Sequence, residues 1–228
     1  MMIRFKFIVV CFFLVSIHLL FAQSADQLAT AATLALRENR YEEAISFAAQ
    51  ASEIFIQRKS FGLLDNYLTH IRALIHLGRY DEAIVLALTA HNQAPYDYRF
   101  IQALGEGYYL SGDGLTALPY LQQYVAVQPT GDFVGRVYYY MGEIYLLQGR
   151  YEHADIAFST AVYHSPQSHR WWYRLGYARE QAAGSSRTTA ERLYLYILAR
   201  TAYEKVLVLS PSHTEARESL SIIQAKIR

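Results

Sequence analysis

Small and large apolar residues recur through this chain in one fixed order with a period of about 34 residues, which limits it to architectures built from stacked copies of a single unit. The order is most complete from Gly135 to Gln167, GRVYYYMGEIYLLQGRYEHADIAFSTAVYHSPQ. Tyr138 is followed by Met141-Gly142, Tyr145, Gly149-Arg150-Tyr151, Ala154, Phe158, Ala161 and Pro166. This patterning predicts two short amphipathic helices joined by a tight Gly-Arg turn. Gly142 from one helix and Ala154 and Ala161 from the other allow close approach, while Tyr138, Tyr145 and Phe158 supply the surrounding bulk. Pro166 lacks a backbone N–H and ends the second helix. One such pair cannot bury its apolar face alone and requires copies on either side.

The copies are present. Ala44, Ala83, Ala117, Ala154 and Ala199 are equivalent small residues, and Pro95, Pro129, Pro166 and Pro211 close successive units at gaps of 34, 37 and 45 residues. The repeats are placed at about 25–58, 64–97, 98–131, 135–168 and 169–211, with a capping helix at 212–228. The first opens on the capping box Ser24-Ala25-Asp26-Gln27. It is degenerate, with Leu28, Ala31, Ala32 and Ala35 in slots that elsewhere hold larger residues or glycine, and a small insertion at 59–63 follows it. In the second, Ile71 stands in the glycine slot, so this pair is expected to sit slightly further apart. In the third, Pro119 predicts a local bend or a late helix start. In the fifth, Gly184 to Thr188 is read as a polar loop, after which Thr188-x-x-Glu191 starts a long helix to about Leu209. Ser212-x-x-Glu215 is read as the cap of the last helix, with Ala216, Leu220, Ile223 and Ile227 on one face.

This succession of slots resembles the tetratricopeptide-repeat family, with Met141 in place of the usual leucine. The resemblance implies an all-α fold, an α-solenoid in which antiparallel helix pairs form a right-handed superhelix. It also implies that the first helix of each pair lines a concave face that takes peptides. On that face the last three repeats carry Arg99, Arg136 and Arg170 at equivalent positions. One turn further lie Gln102, Tyr139 and Tyr173, with Tyr140 and Arg174 adjacent; a further turn on come Glu106, Glu143 and Tyr177. Arginine and tyrosine are among the residue types most enriched at binding hot spots. The competing reading is that these arginines only form solvated ion pairs with Glu106, Glu143 or helix ends. The lysine–asparagine set with which a subgroup of the family grips terminal carboxylates is missing, since the corresponding places hold Leu68, Arg72, Arg99 and Ala103.

The N-terminus bears on location. Arg4 and Lys6 precede the 16-residue apolar run from Phe7 to Ala22, which is short for a membrane span of about 20 residues. Residues 1–22 are therefore expected to be an export signal, cleaved or retained as an anchor. Cys11, the single cysteine, lies inside that run, so the remaining chain has no thiol chemistry. Removing Arg4 and Lys6 from the 21 basic residues leaves 19 against 20 acidic ones. That balance gives no reason to expect nucleic acid as a partner. The histidines show no metal-ligand spacing, and there is no phosphate-binding glycine loop, nucleophile elbow or cysteine–histidine arrangement. No catalysis, metal or cofactor is expected. The expectation is a scaffold in a bacterial periplasm that holds a peptide or protein partner, with roles in envelope assembly or secretion. The alternative is a membrane-anchored subunit that braces a larger complex through its convex or edge surfaces.

Overall fold

The computed structural model describes residues 24–228; the expected export signal at 1–22 lies outside the described residues. Among the described residues there are eleven α-helices and no strand, arranged as consecutive pairs. None of these helices is long and apolar enough to cross a membrane. The described chain divides into two compact units that part between Ala90 and His91.

The first unit contains α1 (Ala25–Arg37), α2 (Tyr41–Arg58), α3 (Leu63–His76) and most of α4 (Tyr80–Gln93). Both capping-box bonds at Ser24 form, from Gln27 N–H to Ser24 Oγ at 3.1 Å and from Ser24 N–H to Gln27 Oε1 at 2.9 Å. Small residues fill the α1–α2 contact: Ala32, Ala35, Ala44, Ala48 and Ala51 are all fully buried. Counting from the inter-helix turn, Ala32 and Ala48 occupy the slots of Gly142 and Phe158. In the second repeat the same slots hold Ile71 and Ala87, both fully buried. The bulk has moved from the second helix to the first, so the isoleucine does not by itself require a wider pair. Asn66, 2% exposed, ties α3 back to α2 by donating to Ala48 O at 2.7 Å and Ser52 Oγ at 2.8 Å. Nothing in the hydrophobic pattern marks this residue.

The second unit contains α5 (Tyr98–Leu110), α6 (Gly114–Val127), α7 (Val134–Leu147), α8 (Tyr151–His164), α9 (His169–Ser185), α10 (Thr189–Leu209) and α11 (Thr214–Ile227). Here the glycine slots face large side chains. A Cβ on Gly105 would lie 2.6 Å from Leu121 Cδ2, one on Gly142 2.7 Å from Phe158 Cε1, and one on Gly176 2.7 Å from Tyr203 Cε1. Only a hydrogen at these positions lets each pair close. The turn between helices is also repeated. Gly112 and Gly149 take left-handed φ values of 93° and 68°. The next N–H then reaches back to a carbonyl five residues earlier, Asp113 to Tyr108 and Arg150 to Tyr145, each at 2.9 Å.

Three expectations need correction and one needs refinement. Gly184 and Ser185 are helical, and the link between α9 and α10 is only 186–188. The fifth repeat's extra length goes into helices of 17 and 21 residues, because Ala182 and Ala183 are buried and carry α9 through an otherwise unfavourable glycine. The last helix is capped not by Ser212 but by His213, whose Nδ1 accepts from Ala216 N–H at 3.3 Å. The bond from His213 N–H to Ser210 O folds Pro211 and Ser212 into the preceding turn. Tyr138 packs against the core as expected but is only half-buried, and Val134, Val137 and Met141, at helical spacing, are the residues buried within it. Finally, α6 starts without delay at Gly114, capped by Asp113, and continues through Pro119. The proline removes the donor to the carbonyl of Leu115, which is exposed and open to water.

Candidate partner-binding face

The first helices of the last three pairs, α5, α7 and α9, share a face in the second unit. Its floor is a run of aromatic rings. Tyr109 of α5 stacks on Tyr140 of α7 at 4.2 Å between centroids, Tyr140 meets Tyr139 at 6.1 Å, and Tyr139 stacks on Trp171 of α9 at 5.3 Å. The Tyr-Tyr-Tyr sequence thus puts its second and third rings on the helix-to-helix seam. Tyr109 and Trp171 belong to this strip but were not among the residues selected from the sequence. No repeat signal marks Tyr109, since the equivalent positions before Gly78 and Gly149 hold Ile75 and Leu146. Burial of the phenols raises the pKa values of Tyr109, Tyr139 and Tyr140 above the ordinary tyrosine range.

The three equivalent arginines do not share one environment. Arg99 folds back on the helix cap Asp97, donating through Nε to Oδ1 at 2.9 Å and through a terminal nitrogen to Oδ2 at 2.6 Å. These bonds hold the Asp97 carboxyl below the usual carboxylate range. Arg136 has a half-exposed side chain, lies over the Phe133 ring and makes a single 3.5 Å ion-pair contact to Glu106. Arg170 is exposed and, among the described residues, makes no ion pair. Arg174 is held instead, with Nε and a terminal nitrogen on the two oxygens of Glu143 at 2.5 and 2.7 Å.

The carboxylates of the face are turned inward. Glu106, 9% exposed, accepts from Tyr140 OH at 2.9 Å and from Gln102 Nε2 at 2.6 Å. Gln102 is likewise buried, so this pair forms the interior wall of the face and not its surface. Tyr173 is directed elsewhere. It stacks on His213 at 5.0 Å and packs beside Tyr203, on the side of α10 and α11. His169 also packs its ring against His213, at 5.7 Å, whereas His164 contacts Tyr163. Tyr177 lies beneath Arg174, 5.3 Å from its guanidinium carbon. A pocket of about 450 Å³ opens beside Arg136 and Trp171, with Thr130, Asp132, Gly135, His164 and Ser165 as its other main walls.

The first unit has a concavity of its own between α1 and α3, about 440 Å³, lined by Asp26, Thr30, Thr33, Arg37, Asp65 and Thr69 among others. Thr30, Thr33 and Thr69 each donate to the carbonyl four residues back in their own helix. Sequence reasoning gave no site here, because isolated threonines on a helix carry no distinguishing pattern.

The phenol burial has a consequence at high pH. Tyr109, Tyr139 and Tyr140 keep their protons to higher pH in the folded chain than the ordinary value of 10.0. Above that value the unfolded chain releases protons that the folded chain retains, so stability is intact below about pH 10 and falls as pH rises further. Urea midpoints taken at about pH 8 and about pH 10.5 should show this decline, smaller in Tyr140→Phe. Equal declines in the wild type and Tyr140→Phe would show that Tyr140 does not contribute.

Residues 135–168 match the family model described as tetratricopeptide repeat. No curated protein sequence matches the chain significantly. Solved structures do. One of MamA, residues 41 to the end, from Desulfovibrio magneticus RS-1, is 20% identical with a TM-score of 0.66, covering 85% of this chain and 98% of that one. Another MamA crystal structure is 15% identical with a TM-score of 0.63, covering 84% and 94%. At these identities the likeness concerns the fold. Residues 135–168 are thus a tetratricopeptide repeat, and the helix pairs around them have the tetratricopeptide-repeat solenoid fold of MamA.

Proposed function

We propose that this chain is an exported, non-catalytic scaffold that holds an extended segment of a protein partner on the shared face of α5, α7 and α9. The observation that carries this reading is the aromatic strip Tyr109–Tyr140–Tyr139–Trp171, bordered by the two solvated arginines Arg136 and Arg170. Rigid aromatics beside guanidiniums offer large contact area at small entropic cost. The sequence character of residues 1–22 supports export to the bacterial envelope, and the resemblance to the repeat family supports a part there in assembly or secretion. The direct check on export is the intact mass of the protein recovered from the native cell. Loss of about 22 residues supports a cleaved signal, and retention supports an anchor.

A second reading, a subunit that braces a larger complex, draws on exposed apolar side chains on the second helices of the pairs. Leu115, Ile156, Tyr163 and Val208 are all more than two-thirds exposed. Affinity capture from the envelope fraction separates the two. The probe variant is Arg136→Glu with Arg170→Glu; Arg99 is left intact because reversing it would place a carboxylate against Asp97. A partner caught by wild type and lost by a variant with unchanged circular dichroism supports the α5–α7–α9 face. The same partner caught by both moves the contact to the outer helices.

A further inference from the structure

We infer that the segment held on the α5–α7–α9 face is acidic, a stretch of Asp or Glu residues interleaved with apolar or aromatic side chains. This inference rests on the scaffold reading above and specifies its ligand. By formal count the face is close to neutral, with Arg99, Arg136, Arg170 and Arg174 opposed by Asp97, Glu106 and Glu143. Its accessible chemistry is not neutral. Every one of those carboxylates is already committed: Asp97 to Arg99, Glu143 to both donors of Arg174, and Glu106 to Gln102 and Tyr140. A carboxylate with both oxygens occupied and little exposure is a poor acceptor for an incoming peptide. The donors are not matched in the same way. Arg136 keeps only a 3.5 Å contact to a glutamate that others already hold, and Arg170 is exposed with no ion pair among the described residues. Asp132, an exposed wall of the pocket beside Arg136, is the one acidic counterweight there, with His164 on another wall. Two guanidiniums at the edge of an aromatic floor therefore offer unspent N–H donors to carboxylates, while Tyr139 and Trp171 offer ring area to the residues between them.

The test is fluorescence anisotropy on the full chain with three labelled nonapeptides, identical except that phenylalanine alternates with glutamate, glutamine or lysine. Two exposed cations acting together should favour the glutamate peptide over the glutamine one by about tenfold. That preference should shrink in salt and disappear in Arg136→Gln/Arg170→Gln. This result supports the inference. Three results overturn it while leaving the face as a binding site. They are equal affinity for glutamate and glutamine peptides with binding lost in Trp171→Ala, a preference for the lysine peptide lost in that variant, and displacement of the glutamate peptide by an equal charge of tripolyphosphate. A glutamate preference unchanged in the double variant places the acid-binding surface elsewhere and also overturns it. Failure of all three peptides to bind removes the scaffold reading of this face, and the inference with it.

Discussion

Phe158→Ala should destabilise the chain by about 3–5 kcal/mol and Gly142→Ile by about 1–3 kcal/mol, yet the two together should cost clearly less than their sum. The first removes a fully buried ring. The second drives a branched side chain into that same ring, since even a Cβ at 142 would lie 2.7 Å from it. Together they recreate the arrangement of the second repeat, where Ile71 and Ala87 stand sixteen residues apart in the equivalent slots and both are fully buried. Urea unfolding of wild type, both single variants and the double variant closes the cycle. Strict additivity would mean that Gly142 and Phe158 do not contact each other, which would remove the basis for aligning the repeats.

The second large effect is expected at Glu106. Glu106→Ala should cost about 2–4 kcal/mol, because it leaves the Tyr140 hydroxyl and the Gln102 amide without their acceptor in a buried wall. Arg136→Ala, which removes a solvated 3.5 Å contact to the same carboxylate and a half-exposed guanidinium over Phe133, should change stability by less than about 1 kcal/mol. Thermal melts of the two variants decide the matter. Equal effects would mean that the ion pair, and not the buried hydrogen bonds, gives Glu106 its weight. Tyr140→Phe offers a finer comparison, since it removes one donor while Gln102 still binds the carboxylate.

Much of the architecture was legible along the chain because helices and turns depend on near neighbours. The capping box at Ser24, the cap at Thr188 and the positive-φ turn residues all act within a few positions of themselves, and the glycine slots, which act across a helix pair, are legible because they recur at the repeat period. Where local signals competed, packing decided. Gly184 reads as a break but lies in a helix whose neighbours Ala182 and Ala183 are buried. Ser212 and His213 both offer a capping atom, and the turn bond from His213 to Ser210 selects the histidine.

The candidate face divides along the same line. The sequence by itself determined that α5, α7 and α9 carry arginine at equivalent positions, with tyrosine one turn on in α7 and α9 and glutamate a further turn on in α5 and α7, because helical periodicity assigns residues to faces. It could not determine which of those charges remain available. Arg99 turns to a cap two residues away, Arg174 reaches a glutamate 31 residues earlier, and Tyr140 reaches Glu106 across 34. Those choices depend on how closely neighbouring repeats pack and how long each side chain is. Only the assembled helices bring the partners within hydrogen-bond distance, and their pairing leaves Arg136 and Arg170 as the charges that face solvent.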